Sequence, residues 1–205
     1  FKFIDNNTRI MTNAFGYLEQ YEVPFVFASS QMSNMSYSPY GVMKRVGEMY
    51  TKSLGGLIVH FWNVYGIEKD MEKAHVITDF ISKGFENGVI EMMTDGKEER
   101  QFLYAEDCCK ALKIIMKKYD QFKSDDPLHI TSFKNSSILE VAEVIQDLFL
   151  EEGKQVQIIP SNSTDTVQLD KKNKANTFIL DWWQPKTTLR SGIKKIFEEM
   201  KNDWV

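Results

Sequence analysis

Apolar side chains recur at helical spacing over residues 5–21, where Ile10, Ala14, Tyr17, Leu18 and Tyr21 fall on or near one face. Val23-Pro24 ends that helix. Phe25-Val26-Phe27-Ala28-Ser29 follows as the continuous apolar run of a buried parallel strand. After a short polar loop, Ser38 supplies an N-cap and Pro39 suits the first helical position, where its missing N–H costs nothing. The helix over 39–54 presents Met43, Val46, Met49, Tyr50 and Leu54 and stops at Gly55-Gly56. A second apolar strand over 57–62 runs into Asn63-Val64-Tyr65-Gly66. Helix, strand, helix and strand with short connections predict a βαβ unit in a parallel sheet with a right-handed crossover. Ligands bind such sheets at the carboxyl ends of strands, which places Ser29, Ser30, Asn63 and Tyr65 at the expected site.

Beyond Gly66 the pattern loosens. Residues 67–75 are charged and loop-like, and a helix over 76–86 carries Val76, Ile77, Phe80, Ile81 and Phe85. A strand is predicted over 90–94, a turn at Asp95-Gly96, and an extended Phe102-Leu103-Tyr104. The helix over 106–119 opens on Glu106-Asp107, favourable against its dipole. A strand over 128–131 precedes a capping box, Ser137 with Glu140, and an amphipathic helix to about residue 150. The rest reads as a strand over 156–159, a polar loop over 161–168, helix over 170–178, a turn at Trp182-Trp183-Gln184-Pro185, and a last helix over 189–201. The expected fold class is α/β, with residues 1–66 as the C-terminal half of a Rossmann-like parallel sheet. Residues 67–205 form mainly a smaller α/β substrate-binding domain, with segments near 101–133 returning to the sheet.

Composition narrows the class. At 205 residues, 42% apolar and 26% charged, the chain can bury a full core. A net charge of −4 without a basic block argues against nucleic acid as a partner. The only two cysteines, Cys108 and Cys109, are adjacent; neighbours in one helix cannot form an ordinary disulfide, which fits a reducing, cytoplasmic setting. Three widely spread histidines give no metal-ligand spacing. No apolar run reaches the ~18 residues of a membrane span, and the first residues do not look like a signal peptide.

The candidate chemistry sits on the helix after the serine strand. Tyr40 and Lys44 lie one turn apart on one face, about 6 Å along the axis. A phenol titrates near ~10, too high for acid/base work at neutral pH, and an adjacent ammonium favours the phenolate. Reaching neutrality takes about three units, roughly 4 kcal/mol, within the scope of one cation in a low-dielectric cleft plus a cationic cofactor. Ser29 or Ser30 could hydrogen-bond the same substrate oxygen, so that a carbinol loses its proton as a hydride leaves. Tyr-x-x-x-Lys is a weak motif that also occurs at Tyr65/Lys69 and Tyr119/Lys123, and such a pair is usually a solvated helix edge. Only Tyr40 follows a strand ending in serines and opens an amphipathic helix.

These pieces, in this order, resemble the extended short-chain dehydrogenase/reductase family, and within it the NAD-dependent nucleotide-sugar epimerases and dehydratases. Asp5-Asn6-Asn7 resembles the asparagine-bearing helix, FVFASS the serine strand, SPYGVMK the Tyr-Gly-x-x-Lys motif, and HFWNVYG the Arg-x-x-Asn-x-Tyr-Gly strand end. DGKEERQFLYAEDCCKAL and LDWWQPKTTLRSGIKK are similar to the Asp-Gly…Arg-Asp-Phe-x-x-Val-x-Asp and Leu-Gly-Trp-x-Pro segments. The resemblance implies Tyr40 as general acid/base and Lys44 as the cation that tunes it and holds the nicotinamide ribose. It implies Ser30 at the reacting hydroxyl, and Tyr40, Lys44 and Phe61 at the cofactor. It further implies Ser30, Gln31, Asn63 and Arg100 at a nucleotide-sugar substrate, whose diphosphate suits a guanidinium. The alternative for Arg100 is an ion pair with Glu98 or Glu99. Asn7 is expected to hold backbone near the site, Asp107 to start a helix, and Trp183 and Pro185 to serve core and turn. A homodimer through the helices over 5–21 and 39–54 is also implied.

Departures from the family pattern carry information too. None of the 11 glycines makes the Gly-x-x-Gly-x-x-Gly spacing of the nucleotide-binding loop, so the chain is expected to be the C-terminal two-thirds of such an enzyme. Residues that choose between NAD and NADP would lie in the other third, which leaves NADP open. Gln31 and Met32 stand where the dehydratases carry acidic residues, against 4,6-dehydration, and His60 replaces the strand arginine. The rival reading is a catalytically inactive relative that acts as a dimerisation or binding module.

Overall fold

The computed structural model describes residues 1–34, 38–124, 126–166 and 173–204. In chain order the elements are α1 (Lys2–Tyr21), β1 (Val26–Ser30), a 3₁₀ turn at Gln31–Asn34, α2 (Pro39–Ser53), β2 (Leu57–Phe61) and β3 (Asn63–Tyr65). There follow α3 (Val76–Asn87), β4 (Val89–Glu91), β5 (Glu99–Arg100), β6 (Phe102–Tyr104), α4 (Ala105–Lys117) and β7 (Leu128–Ile130). The chain ends with β8 (Ser136–Ser137), α5 (Ile138–Glu151), β9 (Gln157–Ile159) and α6 (Leu189–Trp204). It divides into two compact units, the first from Phe1–Trp62, Lys110–Ile130 and Asn173–Gln184, the second from Asn63–Cys109, Thr131–Lys172 and Pro185–Val205.

The first unit is built on a parallel sheet of order β1-β2-β7. Its register aligns Ser29 with His60 and His60 with His129, and in the next row Ser30 with Phe61 and Phe61 with Ile130. Leu57, Ile58, Val59, Leu128 and Ile130 are buried in it. Helix α2 starts as its sequence dictates: the Ser38 hydroxyl accepts from the Gly41 amide at 3.4 Å, and Pro39 occupies the first turn. It lies close on β1 because residue 47 is glycine; a Cβ there would run into the Phe27 ring. Gly55 leaves the helix with φ 72°, a left-handed conformation that suits glycine. Helix α1 buries only Phe15, whose ring stands 6.1 Å from Phe25 and 5.5 Å from Tyr50. The Tyr119 hydroxyl fixes the start of β1, accepting from the Phe25 amide at 3.3 Å and donating to the Phe25 carbonyl at 3.1 Å.

The second unit packs α3, α5 and α6 around Tyr65, Ile81, Ile145, Phe149 and Phe197. Its strands form two parallel pairs, β3 with β6 and β4 with β9, and one antiparallel pair, β5 with β8. Ser137 caps α5 by accepting from the Glu140 amide at 3.0 Å.

Two expectations are corrected. The run over 57–65 is not one strand: the β2 ladder ends where Phe61 meets Ile130, the last residue of β7, and Asn63–Tyr65 then pairs with Phe102–Tyr104 in the other unit. Of the helix expected over 170–178, residues 170–172 lie outside the described residues, as do 167 and 168 of the polar loop. Residues 173–177 are not helical, because Asn173 and Asn176 spend their side-chain amides on the carbonyls of Gln31 and Pro127, both at 2.8 Å. Only a 3₁₀ turn, Phe178–Asp181, follows.

Candidate active site

Lys44 does two things at once. Its Nζ donates to the Ala28 carbonyl at 2.7 Å, and it stands 5.5 Å from the ring centroids of both Phe27 and Tyr40. Partial burial lowers its pKa from the ordinary lysine value. An ammonium has three N–H donors, so two are left after Ala28. The Tyr40 side chain is 42% exposed and open to a ligand. The structure thus brings together the cation and the phenol that their spacing predicted.

Ser30 and Gln31 close β1. The Ser30 hydroxyl accepts from the Met32 amide at 3.1 Å and so begins the 3₁₀ turn; its own proton is left to donate elsewhere. Only eight residues separate Ser30 from the first residue of α2, so Ser30 and Tyr40 belong to the same end of the β1–α2 unit. Gln31 is buried, and its Oε1 has no partner among the described residues. Phe61 is half-buried beside Ser30 in the register.

Next to these residues lies a polar cluster that sequence reasoning missed. Glu48 is 2% exposed, and its Oε1 accepts from Ser29 Oγ at 2.5 Å and from His60 Nε2 at 2.7 Å. Burial raises the carboxyl pKa, but the hydrogen bonds from His60, Ser29 and Ser33, with the His60 charge, outweigh it and hold the value at about 2. His129 is the next residue in the row. Its Nδ1 accepts from Trp62 Nε1 at 3.2 Å, so that nitrogen carries no proton and the ring is neutral. Burial, helped by His60 and opposed by Glu48, pushes His129 down to about 4. The available signal was a histidine inside the buried run Leu57-Ile58-Val59-His60-Phe61, which demands a polar partner. Among the described residues no three His, Cys, Asp or Glu side chains are placed to hold a metal ion.

Asn63, Arg100, Tyr65 and Asp107 belong to the second unit. Asn63 Nδ2 is buried without a partner among the described residues. Arg100 pairs with neither neighbour's carboxylate: its guanidinium donates to Asp165 Oδ2 at 2.6 Å and to the Glu99 carbonyl at 3.0 Å. Tyr65, expected at the strand-end site with Ser29, is instead core; its hydroxyl donates to the Leu189 carbonyl at 3.4 Å, and burial, then Tyr104 and Asp107, raise its pKa. Asn7, in the first unit, holds backbone of its own exposed helix, donating to the Phe3 carbonyl at 2.8 Å. Asp107 does more than start α4, since its Oδ2 accepts from the amides of Lys186 and Thr187 at 2.9 and 2.7 Å. Of the three Tyr-x-x-x-Lys pairs, then, Tyr65 is core; Lys123 stands 5.7 Å from the Tyr119 ring, but that half-buried phenol is spent on Phe25; Tyr40 is the exposed phenol beside its lysine.

The pattern of the NAD dependent epimerase/dehydratase family matches residues 1–130. The chain belongs to that family. A family relative, the putative UDP-glucose 4-epimerase of Methanocaldococcus jannaschii, is 30% identical over 174 residues, 81% of this chain. The chain spans between about a third and about half the length of the curated relatives it matches, 54% in that case and 32% in another. Among solved structures, an epimerase of Methanothermobacter thermautotrophicus superposes with a TM-score of 0.79 at 17% identity, covering 97% of this chain and 65% of its own. The UDP-glucuronic acid 4-epimerase of Bacillus cereus, solved with UDP-glucuronic acid and NAD, gives 0.77 at 18% identity, covering 96% and 67%. These likenesses establish the α/β, Rossmann-like fold of the family. No helix among the described residues is long and apolar enough to cross a membrane.

Proposed function

We propose that the protein to which this chain belongs is an NAD-dependent, epimerase-type oxidoreductase acting on a nucleotide sugar. The observation that carries this reading is the Lys44 ammonium tied to Ala28 with the Tyr40 ring 5.5 Å away, at the end of the strand that carries Ser30. Tyr40 takes the proton of a sugar hydroxyl, Lys44 stabilises negative charge on its oxygen, and the Ser30 hydroxyl donates to the reacting oxygen. NAD, held by Tyr40, Lys44 and Phe61, would supply the hydride acceptor for the carbinol carbon and the hydride donor for the resulting ketone. Tyr40 then gives the proton back to complete the inversion.

The residues present fit the nicotinamide half of the cofactor: Lys44 keeps two donors for ribose hydroxyls, with the Tyr40 ring 5.5 Å away, and Phe61 is the register partner of Ser30 at the strand end. We assign the first unit to the cofactor and the second mainly to the substrate. Gln31 Oε1 and Asn63 Nδ2 are an acceptor and a donor left over in buried positions, which supports their assignment to the sugar nucleotide. Arg100 is assigned to the diphosphate, for which it would exchange its bond to Asp165. A homodimer is supported by the exposed apolar side chains Ile10, Tyr17 and Tyr21 on α1 and Val42, Met49 and Tyr50 on α2; sedimentation should give twice the chain mass. The adjacent free thiols Cys108 and Cys109 support a cytoplasmic setting.

The test is turnover of UDP-sugars with NAD, by the chain and by the reading frame extended upstream of Phe1. Tyr40→Phe should lower kcat about 10³-fold at unchanged stability, the scale of a lost general acid/base. Wild-type turnover in that variant would refute the assignment, and no NADH binding by the extended protein in calorimetry would favour a binding module.

A further inference from the structure

The two elements that carry the candidate site, β1 and α2, are tied together by one buried carboxylate. Glu48 follows Lys44 by one helical turn and Tyr40 by two, on the same face. Its Oε1 holds Ser29 Oγ at 2.5 Å and His60 Nε2 at 2.7 Å, while Oε2 accepts from the exposed Arg45 at 3.0 Å. His60 Nε2 also stands 3.3 Å from Ser33 Oγ in the turn after β1. One side chain therefore reaches β1, β2 and, through His60, the 3₁₀ turn. With Lys44 on the Ala28 carbonyl, α2 is bonded to two consecutive residues of β1, and the next residue is Ser30.

Fold stability alone does not require this arrangement, because a buried ionic cluster can often be replaced by apolar side chains at little cost. A row of Ser29, His60 and His129 facing a helix could have been aliphatic, as the Val59 and Leu128 row below it is. The ionic link instead adds direction. Charge-assisted hydrogen bonds fix the distance and orientation of their partners more tightly than apolar contact does.

We propose that Glu48 is a positioning residue for the reaction proposed above, on which this inference rests: through Ser29 and His60 it fixes the strand end bearing Ser30 against the helix bearing Tyr40 and Lys44. It touches no reacting atom. Its role needs an acceptor at Oε1, which the negative charge strengthens. A glutamine therefore keeps most of it, since a carboxamide oxygen can accept from Ser29 and His60, and its NH₂ would take the place of Oε2 beside the exposed Arg45, which can turn away. A methionine of similar length cannot.

Amide hydrogen exchange on the 205-residue chain, compared among wild type, Glu48→Gln and Glu48→Met, reads this directly. Residues 29–32 should exchange about tenfold faster in Glu48→Met, the scale of losing hydrogen bonds to a charged group, and at a rate between that and wild type in Glu48→Gln, which keeps the acceptor but not the charge. Residues 128–130 of β7 should stay within about twofold in both. Equal behaviour of the two variants, or a loss of protection in β7 as large as that in 29–32, would overturn the proposal. In the active protein, Glu48→Met should lower kcat about tenfold at unchanged KM, with Glu48→Gln restoring most of it; a change confined to KM would overturn the proposal. The exchange comparison needs no turnover, so failure of the reaction assigned to Tyr40 and failure of this positioning role are read separately.

Discussion

Acidification should loosen the first unit through His129. In the fold its Nδ1 is occupied by the Trp62 N–H, its ring stands 4.8 Å from His60, and it is 7% exposed. Its pKa falls from the ordinary 6.5 to about 4, through burial first and His60 second. The unfolded chain therefore takes up a proton near 6.5 that the folded chain refuses until about 4. Below 6.5 the unfolded state binds more protons, so stability declines as pH falls, and the decline from this group ends near 4. At about 1.4 kcal/mol per unit, the whole loss is about 3 kcal/mol, and about 2 kcal/mol is gone by pH 5. His129→Gln keeps an acceptor for Trp62 but does not titrate. Urea unfolding followed by circular dichroism at pH 8, 6.5 and 5 should give a wild-type-minus-variant difference that shrinks by about 2 kcal/mol between the extremes. A difference that stays constant with pH would show that the folded imidazole accepts its proton as freely as the unfolded one, and the reasoning would fail.

Further tests follow from the packing of β1. Gly47→Val should cost about 1–3 kcal/mol, read as a lower urea midpoint, because the new side chain meets the Phe27 ring. Tyr119→Phe should cost roughly 1 kcal/mol by removing the hydroxyl that serves both the amide and the carbonyl of Phe25, and should leave turnover unchanged. Glu48 adds an acid limb below that of His129. Its carboxyl, held at about 2 against an ordinary 4.5, stabilises the fold above 4.5 and loses that contribution as pH falls towards 2. Glu48→Gln should flatten the stability curve between pH 4.5 and the lowest pH at which the chain stays folded.

What could be read from the chain was local. Ser38-Pro39 marked the start of α2 to the residue, Gly55-Gly56 its end, and the apolar runs marked β1 and β2, because caps, breakers and periodicity act within a few residues. The Tyr40–Lys44 pair was legible for the same reason, since one helix turn fixes it. What escaped depends on partners far along the chain. Asp165 meets Arg100 from 65 residues away, and Trp62 meets His129 from 67. Tyr65 looked like a site residue because it closes an apolar run, but the ladder that would have kept it beside Ser29 ends at Phe61. Nothing within the helix marks Glu48; its partners Ser29 and His60 come side by side only through the β1–β2 register.

The polypeptide passes from one unit to the other after residues 62, 109, 130, 172 and 184. No single scission can therefore release either as a self-sufficient piece. The first 62 residues carry Ser30, Tyr40, Lys44 and Glu48 but leave behind β7 with His129, and the Tyr119 that anchors β1. Such a body cannot be shuffled between genes as a cassette; recombination would have to bring three separated stretches at once. The reacting groups and the strands that steady them must be inherited together.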